Sequence, residues 1–582
     1  MHLIQIKSSS TGRTYLALAK SFRDPETGKP RQAIVEKLGY LDQLEGTYSD
    51  PIAHFKEEAR LRTLKEKSEE SSFTLRINAS DRKDQRSKKI CLGLAPLLKV
   101  YHELGIDSLI TSRSRSWEAD TNLNATVRQL VFQRLLQGSV FPFARKDNCN
   151  SCFDLSEHRT NEALPFLLSA RTNILEHLNS VMQNQLGRKG QILYCYTLSF
   201  YFEFDPTDPD SEYYNHRKGG TNNPGIEMSL FMDSLGYPVT YALRQGTRND
   251  YSSYKPIESS QRDQFNVHDF IFIAKREAYT DDIVHRCIEK SRGYIVSQSL
   301  RRANDRFIEF AEDPSGYGDL GSQARYKEAC FPRRITYKDD SGLWHDTVVN
   351  ERQIILWRLS DAGREQRSRR FSGEQSSGWS IDEGIDASNV IHHCSEEAEN
   401  EINLHLGRYN ARSSLDGYTV ICTNVIGLSR KERPFGKRCR FRDDNMFQVN
   451  EDMPARKIIC RYMELGNVYS MFKHDHEDLN LDSDVFIWNQ NLIKAHFLVS
   501  FIAFLVLRVI QNDVCKQEFK LKEISDALTR ASGFQLPQGW YYFDYDDCNG
   551  ILKTIGNRFG IDFGKLIRSP ADLRKLFSNM KR

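Results

Sequence analysis

The feature that most constrains this chain is a long apolar stretch, QILYCYTLSFYFEF, at residues 191–204. Its β-branched, aromatic and apolar residues follow one another without Gly or Pro, which is the composition of a β-strand. We therefore expect a strand over residues 192–204 and a fold that is organised around a sheet.

The segments that follow this strand predict an α/β fold with a mixed sheet. The turn DSLG joins two apolar runs, at 226–232 and 238–243, and predicts a hairpin. A charged helical segment at about 252–265 precedes the short apolar strand DFIFIA at 269–274. A helix at 282–291 and the strand GYIVSQS come next. Three strands in hairpin order, followed by alternating helices and strands, are typical of this class.

The remaining patterns divide the chain into six predicted regions. Apolar runs on either side of the turn RDPETGKP predict a small β unit, which a helix at 51–70 and a polar linker at 75–90 follow. Farther on, Val127, Leu130, Val131 and Leu135 recur at spacings of three and four, on one face of a helix. The regions are an N-terminal β unit and linker at 1–90, a helical domain at 91–188, a first core part at 189–325, a β-containing insertion at 326–417, a second core part at 418–515 and a helical tail at 516–582.

Composition and apolar runs narrow the protein class. A net charge of +3 over 582 residues excludes a uniformly polycationic protein, although local basic patches remain possible. The N-terminal MHLIQIKSSSTGR contains no apolar run of signal-peptide length. The longest apolar run, HFLVSFIAFLVL at 496–507, is shorter than the ~20 residues of a membrane span, and Arg508 closes it. We expect a buried core helix at about 490–511, no membrane partner and a reduced, cytoplasmic compartment, since the twelve Cys show no paired spacing.

Eight further segments follow one another along the chain: GRTYLALAKSFRDPETGKPRQAIVEKLGYLD, DPIAHFK, YHELGID, YFEF, SLFMDSLGYPVTYAL, GYIVSQSLR, KAHFLVSFIAFLVLRVI and YYFDYDDCNGILKTIGNRFGIDF. Together they resemble insertion-sequence DDE transposases of the superfamily whose prototype is insertion sequence four. The resemblance implies an RNase H-like mixed-sheet core and a DNA-binding role for the helical domain at 91–188. It also implies DNA transposition in a bacterial, nucleoid-associated cytoplasmic setting. The implied partners are double-stranded terminal-repeat DNA and a second copy of the chain, as a homodimer assembled on that DNA.

The family's catalytic site is where this chain departs from the resemblance. The family holds two Mg²⁺ ions ~4 Å apart with two Asp from strands and one Glu from a helix. The family's first strand typically ends D-V-T-N-Y-Y-F-E, and this chain reads Y-T-L-S-F-Y-F-E, so Tyr196 stands at the first Asp position. The second family Asp follows an apolar strand, and here Lys275 follows DFIFIA.

The third family motif lies on a helix, expected here at about 455–473. The motif's Tyr is kept as Tyr462, which with His476 at the family's Lys position is a candidate DNA contact. Leu465 stands at the family's Arg position and Tyr469 at the Glu position. All three metal-binding carboxylates are therefore replaced.

The replacements disfavour the Mg²⁺ that the family implies, and we expect no metal cofactor with the present residues. A phenol with a pKa near 10 stays protonated and is a poor ligand for a hard cation. The Lys275 ammonium would repel a divalent cation by several kcal/mol at an intermediate dielectric. Other acidic residues in these segments are interpreted as solvated surface charges: Glu203, Glu277, Glu464, Asp475, Glu477 and Asp478.

The densest basic run is RKERPFGKRCRFR, at 430–442, with two Phe interleaved. It is interpreted either as a DNA-backbone contact, in which each cation displaces counterions from phosphate, or as a solvated loop. The candidate DNA-binding residues of the run are Arg430, Lys431, Arg433, Lys437, Arg438, Arg440 and Arg442.

Three functions remain open from the sequence. The first is a transposase-family DNA-binding protein that is inactive in strand cleavage and transfer. The second is an active DDE transposase whose carboxylates come from other positions. The third is a regulator derived from a transposase, which binds DNA or inhibits an active relative by dimerising with it.

Overall fold

The computed structural model describes residues 2–7, 12–23, 30–70, 89–114, 122–137, 157–185, 187, 192–202, 225–245, 269–275, 280–303, 305–321, 323–339, 341–375, 413–427, 445–473, 489–536, 539–547 and 550–581. The chain divides into two compact units, Met1–Asp84 and Gln85–Arg582. The six-region division made from the sequence is finer than this and stays a prediction.

The first unit is a three-stranded antiparallel sheet with two helices. Its strands are β1 (His2–Lys7), β2 (Thr14–Arg23) and β3 (Pro30–Tyr40), in the order β1-β2-β3. The helices are α1 (Leu41–Leu44) and α2 (Pro51–Glu70). The β unit and the helix at 51–70 that the sequence predicts are therefore confirmed. Residues 75–88 of the expected linker lie outside the described residues.

The second unit contains the remaining elements. Its strands are β4 (Lys89–Cys91), β5 (Ile192–Tyr201), β6 (Gly225–Met232), β7 (Pro238–Gln245), β8 (Asp269–Ala274), β9 (Gly293–Gln298), β10 (Gly318–Asp319), β11 (Ala324–Lys338), β12 (Trp344–Arg358), β13 (Tyr418–Thr423), β14 (Val425–Ile426), β15 (Phe447–Gln448), β16 (Ser532–Gln535), β17 (Tyr541–Phe543) and β18 (Ile567–Arg568). Its α-helices are α3 (Leu94–Glu103), α4 (Ile106–Ser114), α5 (Leu123–Gln137), α6 (Glu157–Asn184), α7 (Asp281–Glu289), α8 (Asp305–Glu312), α9 (Leu359–Gln375), α10 (Ala455–Phe472), α11 (Gln490–Val509), α12 (Leu521–Arg530), α13 (Ile551–Phe559) and α14 (Pro570–Asn579).

A nine-stranded mixed sheet forms the centre of the second unit. Its order is β10-β11-β12-β13-β9-β8-β5-β6-β7. Strands β5, β6 and β7 are antiparallel neighbours, whereas β8 lies parallel to β5 on its other side and β9 lies parallel to β8. Strands β11 and β12, from the expected insertion, extend the same sheet through β13. The predicted mixed α/β class is confirmed, and the expected helix at 252–265 lies outside the described residues.

The ends of the second unit meet in a small separate sheet of order β18-β17-β16-β4. Strand β4 begins at Lys89, so the last two residues of the expected linker are part of a strand. The tail after residue 516, expected to be helical, also contributes three short strands. The backbones approach closely here, since a Cβ on Gly93 would lie 2.1 Å from the Leu528 carbonyl oxygen. Only glycine fits at that position.

Helix α11 is the core of the helical layer that covers one face of the large sheet. It contacts α3, α5, α6, α10, α12 and β7. The side chains predicted to share one face of α5 are buried within the same hydrophobic cluster. Strands β5 and β8 contribute Tyr196 and Ile273 to this cluster, while Phe272 and Ala274 face the opposite cluster with α7 and α8. The strict alternation of faces fixes which residues of β5 and β8 reach α10 and α11.

Within the described residues, one helical segment, Gln490–Val514, is long and apolar enough to cross a membrane. Protein covers 94% of its most apolar window, so the predicted burial of this helix is confirmed.

Leu498→Ala should lower the free energy of unfolding by about 2–5 kcal/mol, because this fully buried α11 side chain would leave a cavity at the centre of the core. Leu566→Ala is the matched control, since that leucine is 57% exposed, and its effect should stay within about 0.5 kcal/mol. Urea unfolding followed by circular dichroism measures both. Equal effects of the two substitutions would contradict the central position of α11.

Candidate functional site

Tyr196 lies at the middle of β5, with no exposed surface, opposite Ile273 of the parallel strand β8. Burial raises the pKa of its phenol well above 10, against the opposing charges of Arg461 and Arg508. Hydrogen bonding to Arg461 also opposes this rise in the pKa. Tyr196, which the resemblance aligns with the first metal-binding Asp, is therefore a neutral phenol that faces two guanidinium groups inside the protein.

Arg508, at the end of α11, carries a buried charge rather than a surface charge. Its side chain is 7% exposed and forms an ion pair with Glu464 of α10. Burial lowers the pKa of Arg508 to about 10, which still leaves the group protonated at neutral pH. The interpretation of Glu464 as a solvated surface charge is wrong: its side chain is 16% exposed because it turns towards α11 to meet the arginine.

A tight turn between β6 and β7 closes one side of this arrangement. Asp233 is buried and accepts backbone hydrogen bonds from Leu235 and Tyr237, each at 2.9 Å. Arg461 donates to the carbonyl oxygen of Ser234 in the same turn. The turn that the sequence predicts as DSLG thus anchors one of the two guanidinium groups next to Tyr196.

Lys275 and Tyr469, which the resemblance aligns with the other two carboxylates, meet near the protein surface. The ammonium Nζ of Lys275 lies 5.0 Å from the centre of the Tyr469 ring, within the range of a cation–π contact. The Tyr469 ring, in turn, stacks on Phe200 at 5.5 Å with an interplanar angle of 10°. Lys275 is exposed and Tyr469 is 39% exposed, so this contact faces solvent.

The helix expected at 455–473 is present as α10, and it turns the motif positions towards different surroundings. Leu465 and Phe472 are buried in the core, and the Phe472 ring lies 6.1 Å from that of Phe497 in α11. Tyr462 is half-buried against the same core. The remaining candidate DNA contacts, His476 and the basic run at 430–442, lie outside the described residues, as do Glu203, Glu277, Asp475, Glu477 and Asp478.

The residues that the resemblance aligns with the three carboxylates do not fit Mg²⁺. The donors are a buried phenol, an exposed phenol and an ammonium, whereas this ion requires oxygen ligands that are above all carboxylates. The carboxylate nearest in sequence to Tyr469 that the structure describes is Glu464, and Arg508 occupies it. Among the described ranges, no group of three or more His, Cys, Asp and Glu side chains is placed to hold a metal ion.

The sequence contains no signal that would pair Glu464 with Arg508. The two residues lie on different helices, and 474–488, part of the chain that separates them, has no described structure. The run of apolar residues before Arg508 marks the helix but leaves open whether its terminal cation is buried.

Glu464→Gln should lower the free energy of unfolding by about 3–5 kcal/mol, because it leaves the Arg508 charge buried without its partner. Adding Arg508→Met removes both charges and should restore most of the loss. The control is Glu57→Gln, which breaks an exposed pair with Arg60 and should cost at most about 1 kcal/mol. Chemical denaturation of the wild-type protein and the three variants completes the comparison, and an effect of Glu464→Gln as small as the control's would contradict the buried pair.

Comparison with known proteins gives a family match for the N-terminal unit. Residues 3–72 match the N-terminal domain of IS1634 family transposases. A cryo-EM structure of the piggyBac transposase synaptic complex with hairpin DNA superposes over 84% of each chain, with 7% sequence identity and a TM-score of 0.29, which is too low to establish a shared fold. No curated protein matches the chain. The match at residues 3–72 supports an insertion-sequence transposase.

Proposed function

We propose that this chain is an insertion-sequence transposase homologue with an RNase H-like core, which binds element-end DNA and does not cleave or transfer strands. The observation that carries the proposal is the contact between Lys275 and Tyr469, since a cation and a phenol meet where the resemblance implies two metal-binding carboxylates. The match of residues 3–72 to transposases supplies the functional class.

Strand order supports the RNase H-like core. Three antiparallel strands, β5 to β7, are followed by β8 and β9, which add in parallel on the other side of β5. Among the five strands β9-β8-β5-β6-β7, β5 lies at the centre and β8 lies beside it. The carboxyl ends of β5 and β8 are therefore adjacent. Position 196 on β5 and position 275 after β8 are thereby brought to neighbouring strands, and α10 adds position 469.

Charge arrangement supports the loss of cleavage. A two-metal mechanism needs ligands that neutralise two divalent cations and hold them ~4 Å apart. Here the groups at the three positions carry one positive charge and no negative charge at neutral pH. Arg461 and Arg508 also lie next to Tyr196, and the ion pair of Arg508 with Glu464 keeps that carboxylate from binding a metal ion.

The alternative of an active enzyme with displaced carboxylates is weakened by Glu464. That carboxylate would have to abandon Arg508 in the interior in order to bind a metal ion. The cost of leaving a buried guanidinium unpaired, about 3–5 kcal/mol, opposes such a change.

The unmodified chain should show no Mg²⁺- or Mn²⁺-dependent nicking of DNA that carries its element's ends. Restoring all three carboxylates, with Tyr196→Asp, Lys275→Asp and Tyr469→Glu together, should produce metal binding that calorimetry detects. Single and double restorations should fail, because one missing ligand leaves at least one ion insufficiently held. Cleavage should follow only where Leu465 and His476, at the family's Arg and Lys positions, are not also limiting.

The matched control moves one carboxylate by two residues along the same strand face, with Tyr194→Asp, Lys275→Asp and Tyr469→Glu. Tyr194 is buried like Tyr196 and its ring lies 4.5 Å from the guanidinium carbon of Arg461. The control therefore has the same charge change without the same geometry. Robust cleavage by the unmodified chain would refute the proposal.

Binding of duplex DNA should weaken when Arg433, Lys437, Arg438 and Arg440 are all replaced by Ala. Each lost phosphate contact reduces the slope of log affinity against log salt by up to ~0.9. Fluorescence anisotropy at several salt concentrations measures the slope. The control replaces four exposed cations of the C-terminal region, Lys516, Lys520, Lys522 and Arg530, by Ala. An unchanged slope in the first variant would identify the basic run as a solvated loop.

A further inference from the structure

A cavity of about 480 Å³ lies in the C-terminal part of the second unit, away from Tyr196 and α10. It is bounded by α3, the end of α13, the segment that includes β18, and α14. Its charged lining residues, here called the basic pocket, are Lys99, Arg558, Lys565, Arg568, Asp572 and Lys575. Five cations and one carboxylate therefore share a single concave surface.

The one carboxylate in the basic pocket is already occupied. Asp572 lies 3.0 Å from the Lys565 ammonium, and this contact is the main reason that the pKa of Asp572 is lowered. Its carboxylate also accepts a hydrogen bond from the backbone N–H of Ser569 at the start of α14. Lys99 is also paired, since its ammonium lies 3.4 Å from the carboxylate of Glu103. The pocket consequently keeps an excess of three cations, Arg558, Arg568 and Lys575, beyond these two pairs.

Arg568 gives the pocket a fixed, buried cation. The residue is 5% exposed, and its Nη2 donates to the carbonyl oxygen of Asp562. Its Nε is buried and has no hydrogen-bond partner within the described residues. A buried guanidinium N–H without an acceptor costs free energy, and an anion in the cavity that Arg568 lines would offset part of this cost through its charge, without a direct contact to Nε.

We propose that the basic pocket binds a phosphate group of the DNA backbone. Arginine offers planar, paired N–H donors and lysine a compact charge, a combination that suits phosphate oxygens. The volume is within the range of pockets that hold small polar groups. This inference rests on the proposed DNA binding and adds a contact that the sequence did not indicate.

The rim of the pocket is open to a large ligand. Arg558 and Lys575 are exposed, and the Lys565 side chain is 47% exposed. A duplex can therefore reach these cations without rearrangement of α13 or α14. Backbone contacts of this kind position a duplex without reading its sequence.

The test compares two charge-matched double variants of the full-length protein. Arg558→Gln with Lys575→Gln removes two cations from the pocket. Lys553→Gln with Arg574→Gln removes two exposed cations from the same two helices, at positions that do not line the pocket. Circular dichroism melting curves establish that both variants fold.

Two measurements follow: the salt slope of binding to a labelled duplex, by fluorescence anisotropy, and binding of inorganic phosphate, by calorimetry. The pocket variant should lose phosphate binding and its salt slope should fall by up to ~1.8, corresponding to two contacts, while the control keeps both properties. Equal salt slopes in the two folded variants would overturn the proposal of a backbone contact.

The phosphate measurement separates this proposal from the proposed function. If the wild-type protein does not bind DNA, the proposed function is refuted, and so is the assignment of DNA as the source of the bound phosphate group. Phosphate binding that is lost only in the pocket variant would then identify a free phosphate as the ligand. Absence of phosphate binding in the wild-type protein would refute the pocket as a phosphate site.

Discussion

The burial of helix α11 within the second unit is the constraint on which the rest of that unit depends. Its apolar side chains meet helices from both sides of the sequence as well as the edge strand β7. No short local arrangement can cover a helix that is apolar around its whole circumference. The helical layer, the central sheet and the C-terminal segment must therefore assemble around it, and the free energy of burial links them into one unit.

That same helix ends in the charge that shapes the candidate site. The Arg508 side chain extends from the apolar interior into the layer between α10 and β5, where it forms the ion pair with Glu464. Arg461 and the phenols of Tyr196 and Tyr237 lie close enough to Arg508 to interact with its charge. A buried ion pair contributes little net stability compared with apolar packing, so its effect is mainly on the local electrostatic field. The pair holds the Glu464 carboxylate against Arg508.

Much of the fold follows from local patterns, because burial on one face imposes periodicity. Apolar runs, or apolar residues at spacings of three and four, predict the strands β5 and β8 and the helices α5 and α11. Strand β4 could not be predicted from the sequence, since three residues are too few to show a hydrophobic periodicity. Its partner strand, β16, lies near the other end of the chain. The environment of Tyr196 could not be predicted from the sequence either, because Arg461 and Arg508 reach it from two separate helices.

The closure of the small sheet has a consequence for biosynthesis. The Cys91 thiol donates to the carbonyl oxygen of Leu528, 437 residues later in the chain, and Gly93 packs directly on that same carbonyl. During synthesis the first helices of the second unit emerge long before the segment that completes them. Such distant contacts delay folding and leave apolar surface exposed in the meantime. A chain whose synthesis stops before residue 532 cannot form the small sheet that completes the second unit.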